Sequence, residues 1–97
     1  RFMLLNEMMK RYVRYPGVYS RKIKNLWVIL SVTRRECFKL NETAGVLWAA
    51  LTTPKTTREL SKSIVSKFDV DEQVAESNVE EFLAIYQQRG FVQETES

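Results

Sequence analysis

The most constraining feature of this sequence is a strand pattern that meets a helix pattern with no loop between them. In FKLNETAGVLWAAL, residues 38–51, Phe38 and Leu40 are separated by Lys39, as in a half-buried strand. Asn41 follows, and its side chain can accept a hydrogen bond from the first free amides of a helix. Apolar residues then recur at helical spacing: Ala44, Leu47, Trp48 and Leu51. A sheet must therefore lie directly beside a helix in this chain.

Two further strand patterns precede this joint. Residues 26–32 (LWVILSV) are rich in β-branched and aromatic residues, and residues 18–24 form a weaker pattern. Residues 36–40 give the last strand, and polar residues 33–35 the hairpin tip. We expect a three-stranded antiparallel meander.

The strand over residues 26–32 has two different faces. Leu26, Val28 and Leu30 share one face, while Trp27 and Ile29 share the other. Trp27 is expected either to be an exposed interaction residue or to pack beneath the N-terminal segment. Trp48, at helical spacing, is expected in the core.

Two more helices follow the joint. Thr56 and Glu59 form a capping box, and the helix that they open carries one apolar side. That side consists of Leu60, Ile64, Val65 and Phe68. Asp69 or Asp71 caps the third helix. Its apolar positions are Ala75, Val79, Phe82, Leu83 and Tyr86.

The two ends of the chain are less regular. Residues 1–16 are an N-terminal extension, and the spacing of Phe2, Leu5, Met9 and Tyr12 fits a short helix as well as a loose arm. At the other end Gly90 suits a helix C-cap, after which Phe91 and Val92 can fold back onto the core. Residues 93–97 are expected to be a tail.

Composition excludes most catalytic chemistry for this chain alone. Histidine is absent and Cys37 is the only cysteine, so no disulfide and no Cys/His metal site can form within the chain. No cofactor is expected. Cys37 itself is expected to be a small, half-buried apolar residue. With no apolar run near the ~20 residues of a membrane span, the chain is predicted to be cytoplasmic.

Charge is distributed unevenly along the chain. Residues 1–40 hold ten Lys/Arg and two Glu, a net charge of +8. Residues 41–97 hold five Lys/Arg and ten Asp/Glu, a net charge of −5. The basic part either attracts an acidic peptide or nucleic acid, or only solvates the small sheet.

Several blocks at consistent spacing resemble the PqqD-like family. The likeness covers residues 17–92 and rests on five blocks of sequence. They are Leu40-Asn41-Glu42-Thr43-Ala44 with Leu47-Trp48, Thr57 with Glu59-Leu60, Phe68-Asp69-Val70, Val79-Glu80-Glu81-Phe82-Leu83, and Arg89-Gly90-Phe91-Val92. The resemblance implies a winged helix-turn-helix variant of α+β class, with a three-stranded antiparallel sheet followed by three helices.

The resemblance also implies a function without catalysis. Such precursor-peptide recognition elements bind the leader of a ribosomally made peptide as an added strand. They present it to a modifying enzyme, which can be a radical S-adenosylmethionine enzyme, a leader peptidase or a cyclase. The implied groove lies between the last strand of the meander and the third helix. Carried over, its residues are Arg35, Glu36, Cys37, Phe38, Lys39, Val79, Phe82, Leu83 and Tyr86.

Three questions remain beside this interpretation. The fold can also host a winged-helix DNA-binding protein, but Glu72, Glu76, Glu80 and Glu81 on the third helix would repel a duplex, so we expect no nucleic acid partner. The pathway, whether for the quinone cofactor PQQ, a lasso peptide or another product, is not indicated. Domain swapping through the N-terminal segment, which would give a homodimer, is also open.

Overall fold

The elements follow the predicted order, with one additional strand at each end. The computed structural model describes residues 10–95. Its strands are β1 (Arg11–Arg14), β2 (Tyr19–Ile23), β3 (Leu26–Ser31), β4 (Glu36–Lys39) and β5 (Val92–Thr95). Its helices are α1 (Glu42–Ala50), α2 (Thr57–Phe68) and α3 (Glu72–Gln88). Strands β2, β3 and β4 form an antiparallel sheet in that order, so the predicted α+β fold is confirmed.

The first two helices begin at the caps that the sequence predicts. Asn41 follows β4 after one residue, and its Oδ1 accepts a hydrogen bond from the Ala44 N–H at 2.8 Å. In the capping box the Glu59 N–H donates to Thr56 Oγ1 at 3.2 Å, and the Thr56 N–H donates to Glu59 Oε1 at 2.9 Å. The hydrogen bond from the Thr56 backbone holds the pKa of Glu59 below its ordinary value. Local hydrogen bonding thus fixes both helix starts.

The two candidate caps of the third helix have different positions. Asp71 is the N-cap residue of α3, although its side chain makes no capping hydrogen bond. Asp69 instead ends α2 in the left-handed region, with φ 54°. Gly90, with φ 78°, comes directly after Arg89, the C-cap residue of α3. Within residues 10–95, no helix is long and apolar enough to cross a membrane.

The core lies between the inner face of the three-stranded sheet and the three helices. Its largest fully buried side chains are Trp48, Ile29, Leu47, Leu51, Leu60, Ile64 and Val79. Trp48 is therefore a core residue, as predicted. Trp27 is half-buried beside this core and lies beneath Arg14 of β1. Of the two predicted alternatives, it therefore packs beneath the N-terminal segment and is not an exposed interaction residue. Phe91 and Val92 fold back onto the core, with 3% and 2% of their surface exposed.

The ends of the described chain pair with each other. Strand β1 runs antiparallel to β5, with Arg14 opposite Val92 and Arg11 opposite Thr95. Tyr12 also exchanges two backbone hydrogen bonds with Lys55, between α1 and α2. The helix expected near residues 1–12 falls largely on residues 1–9, which lie outside the described residues. Residues 11–14 are a strand, and residues 92–95 belong to the same small sheet.

Arg14 ties this second sheet to the core. Its Nε and Nη2 donate to the backbone oxygen of Trp48 at 2.9 and 2.7 Å, in the last turn of α1. Its guanidinium lies 4.5 Å from the ring centroid of Trp48 and 5.3 Å from that of Trp27. Partial burial lowers the pKa of Arg14. Because α1 has no basic residue in its last turn, Arg14 supplies the cation that the helix C-terminus favours.

Replacement of Arg14 by Met should destabilise the fold. The change keeps an unbranched side chain over the two indole rings but removes the charged donors to the Trp48 carbonyl. We expect the free energy of unfolding to fall by about 1–2 kcal/mol, at the lower end for charged hydrogen bonds because the group is partly exposed. Urea denaturation measures this. Arg11→Met, on the same strand, is the matched control and should cost less; equal losses would contradict the role of Arg14.

Candidate peptide-binding groove

A groove of about 380 Å³ lies between β4 and α3. Its residues are Phe38, Lys39, Asn41, Thr43, Ala44, Leu47, Asn78, Glu81, Phe82, Ile85, Tyr86, Arg89 and Phe91. The α3 members recur at three- and four-residue intervals, which brings them to one side of the helix. The position agrees with the strand and helix that the sequence resemblance implied.

Aromatic rings form the apolar part of this groove. The Phe82 and Tyr86 rings stack with centroids 4.0 Å apart, and Phe91 meets Tyr86 edge-on at 5.8 Å. Phe38, from β4, meets Phe91 at 5.2 Å. Edge and stacked pairs of this kind are favourable beyond the area that they bury. The groove therefore has a preorganised apolar surface before any ligand enters.

Charged groups stand around the aromatic cluster. The Arg89 guanidinium lies 4.8 Å from the Phe38 ring centroid, while Lys39 and Glu81 are exposed at the groove. Burial raises the pKa of the Tyr86 phenol, and Arg89 opposes this effect only in part. Tyr86 thus stays neutral at ordinary pH and can donate a hydrogen bond to an incoming chain.

The unpaired backbone of β4 borders the groove. In the described part of the chain, β4 pairs only with β3 and forms one edge of its sheet. The Leu40 N–H donates to the Trp27 carbonyl at 2.9 Å, so the Leu40 amide points toward β3. Amides in an antiparallel strand alternate between the two sides, which turns the backbone groups of Cys37 and Lys39 outward. Such an edge can pair with another extended chain.

The structure places the nine predicted site residues in three different environments. Phe38, Lys39, Phe82 and Tyr86 line the groove. Three others lie on or next to β4 outside the groove: Arg35 in the turn with φ 55°, Glu36 at the start of the strand, and Cys37. The remaining two, Val79 and Leu83, are core residues with 0% and 5% of their surface exposed.

These positions correct two expectations. Val79 and Leu83 do not line the groove, because they lie on the side of α3 that packs against the other helices and the sheet. Cys37 is exposed, where partial burial was expected. It pairs with Leu30 on the sheet face that points away from the helices, so no element of the described chain covers it.

Sequence reasoning missed several groove residues. Ile85 and Arg89 on α3 and Phe91 beyond it all line the groove. Ile85 carried a usable signal, since it is a large apolar residue outside the core positions 79, 82, 83 and 86, and 41% of its surface is exposed. Apart from their place in the Arg89-Gly90-Phe91-Val92 block, Arg89 and Phe91 carried no such signal in the sequence, because their positions depend on how the chain turns after α3.

Comparison with known protein families identifies the chain. The family model described as coenzyme PQQ synthesis protein D (PqqD) matches residues 27–92, which span β3 to the start of β5. This chain belongs to the PqqD family. The match begins at β3 and includes both walls of the groove. No curated protein sequence matches this PqqD-family chain.

Solved structures share the fold of this PqqD-family member at low sequence identity. A lasso peptide synthetase B1 complexed with the leader peptide is similar with a TM-score of 0.74 and 17% identity, covering 84% of this chain and 96% of that chain. TbiB1 in complex with the TbiA(beta) leader peptide has a TM-score of 0.76 and 21% identity, with coverages of 84% and 94%.

A third structure carries the same family name. It is the PqqD truncation of Methylobacterium extorquens PqqCD, described as a functional and stand-alone RiPP recognition element, where RiPP denotes a ribosomally synthesised and post-translationally modified peptide. Its TM-score is 0.70 at 19% identity, with 86% of this chain and 88% of that chain covered.

Proposed function

We propose that this PqqD-family chain is a non-catalytic adaptor for the leader of a ribosomally synthesised precursor peptide. The leader adds as an antiparallel strand along the outer edge of β4, and its inward side chains enter the groove against α3. The adaptor then presents the peptide to a modifying enzyme, which is a radical S-adenosylmethionine enzyme, a leader peptidase or a cyclase. Membership of the PqqD family supports this role.

The observation that carries the proposal is the combination of an unpaired strand edge with a preformed aromatic groove. The outward amides of Cys37 and Lys39 supply main-chain hydrogen bonds, which are independent of sequence. Phe82 and Tyr86 supply a surface that selects large apolar side chains at alternate positions. Two of the similar structures are complexes with leader peptides, which supports a leader peptide as the ligand.

A titration separates this function from DNA binding. The chain is titrated with the fluorescently labelled leader of the precursor peptide encoded beside it, and separately with random duplex DNA, each at low and moderate salt. We expect saturable leader binding of micromolar strength that changes little with salt, because apolar contacts and main-chain pairing dominate. DNA binding that falls steeply with salt, with no leader binding, would overturn the proposal in favour of the winged-helix alternative.

A further inference from the structure

The outer face of the three-stranded sheet is a second surface, which shares only Lys39 with the groove. Strand register brings one set of side chains to the face that points away from the helices. These residues are Tyr19, Arg21, Ile23, Leu26, Val28, Leu30, Cys37 and Lys39. Most of them are apolar, which is the pattern of a face that is buried against something.

The apolar residues of this face are open to solvent. Tyr19 is 61% exposed, and Ile23, Leu26 and Leu30 are each more than two-fifths exposed. No helix of residues 10–95 packs on this side, since the core cluster contains the opposite face of β3, with Ile29. Contiguous exposed apolar surface of this kind marks an interaction site.

The charges on this face have one sign. Arg21 and Lys39 lie on either side of Val28, in the middle of the sheet. Val28 is only 8% exposed, as expected if their aliphatic stems cover it. No carboxylate shares the face, and within the described residues neither cation forms an ion pair. The face therefore attracts an acidic surface and repels a second copy of itself.

The size of the face also argues against a homodimer. Three strands about 4.8 Å apart, with five residues rising ~3.4 Å each, give a flat footprint on the order of 250 Å². A stable interface needs about 800 Å² from each partner. A partner must therefore extend past the sheet, and a leader strand added to β4 would enlarge the same face.

We propose that this outer face docks the enzyme that modifies or cleaves the bound peptide. The matching surface of that enzyme is apolar at its centre and carries carboxylates opposite Arg21 and Lys39. This inference rests on the proposed function, because a leader added along β4 places every second side chain on the outer face. The enzyme then contacts sheet and leader together, so leader binding strengthens enzyme docking.

The test measures two affinities on the same variants. The probes are the labelled leader and the purified modifying enzyme encoded beside this chain, the latter titrated with and without saturating leader. Leu30→Glu and Arg21→Glu should each weaken enzyme binding by about tenfold or more, since they place negative charge against an acidic partner. Leader affinity should stay unchanged, because both residues lie outside the groove. The wild-type chain should bind the enzyme more tightly with leader present.

Val74→Glu is the matched control, because Val74 is a similarly exposed apolar residue on α3, outside the groove and the sheet. It should leave both affinities unchanged. If Leu30→Glu and Arg21→Glu both bind the enzyme as tightly as the wild-type chain does, the inference is overturned. The proposed function still holds in that case, provided that the chain binds leader. The inference would also be overturned if the two face variants bound the enzyme normally but lost self-association of the chain or binding to phosphatidylglycerol vesicles. Failure of the wild-type chain to bind leader would instead overturn the proposed function.

Discussion

Replacement of Ile85 by Asp is expected to weaken leader binding by about 30- to 100-fold, the largest effect of any exposed substitution in the groove. Ile85 lines the groove and 41% of its surface is exposed in the free chain. A bound leader would cover the part of this side chain that is still exposed, which contributes roughly 1 kcal/mol out of the about 1.5–3 kcal/mol for complete burial of an isoleucine. Aspartate forfeits that contribution and adds a carboxylate that must lose water beside an apolar ligand.

The same substitution should leave the fold intact. Because Ile85 is not part of the buried core, the midpoint of urea denaturation should change little. Val74→Asp is the matched control, since it makes the same change at an exposed position of α3 outside the groove. Fluorescence anisotropy with labelled leader measures both variants. If Ile85→Asp binds leader like the wild-type chain, or if Val74→Asp is equally weak, the groove is not the leader site.

Replacement of Cys37 by Pro should weaken leader binding by about tenfold or more. Proline removes the outward N–H of Cys37, which would donate a hydrogen bond to a carbonyl of the leader. Loss of one such hydrogen bond costs about 0.5–1.5 kcal/mol. The proline ring additionally obstructs the approach of a second strand. Because this amide points away from β3, the internal sheet keeps its hydrogen bonds, and proline is tolerated at such edge positions.

Cys37→Ala separates the amide from the thiol. Alanine keeps the backbone N–H and removes only the exposed side chain on the outer face, so leader affinity should match that of the wild-type chain. Circular dichroism should report a folded domain for both variants. Equal leader affinity of Cys37→Pro and Cys37→Ala would show that the leader does not pair along β4, and the groove would then have to bind it by side chains alone.

Only some of the groove residues could be predicted from the sequence. Phe82 and Tyr86 were expected in the groove because the family resemblance points to the apolar positions of the third helix, which are visible in the sequence. Val79 and Leu83 are among the same apolar positions but point into the core. Periodicity cannot separate a side chain at the edge of a core from one at its centre. Ile85 lies outside those core positions, which marked it as an exposed apolar residue, but only the position of α3 across from β4 shows that it borders the groove.

The sequence by itself determined the local elements: the strand that runs into Asn41, the capping box at Thr56, and three helices of known apolar side. These depend on hydrogen bonds and periodicities within a few residues of each other, so they can be read directly. Tertiary structure alone decided that β1 pairs with β5 and that Arg14 binds the last turn of α1 beside two indole rings. It also decided that nothing in residues 10–95 covers one apolar face of the sheet. Such features join residues far apart in the chain, and many alternative pairings satisfy the same local pattern.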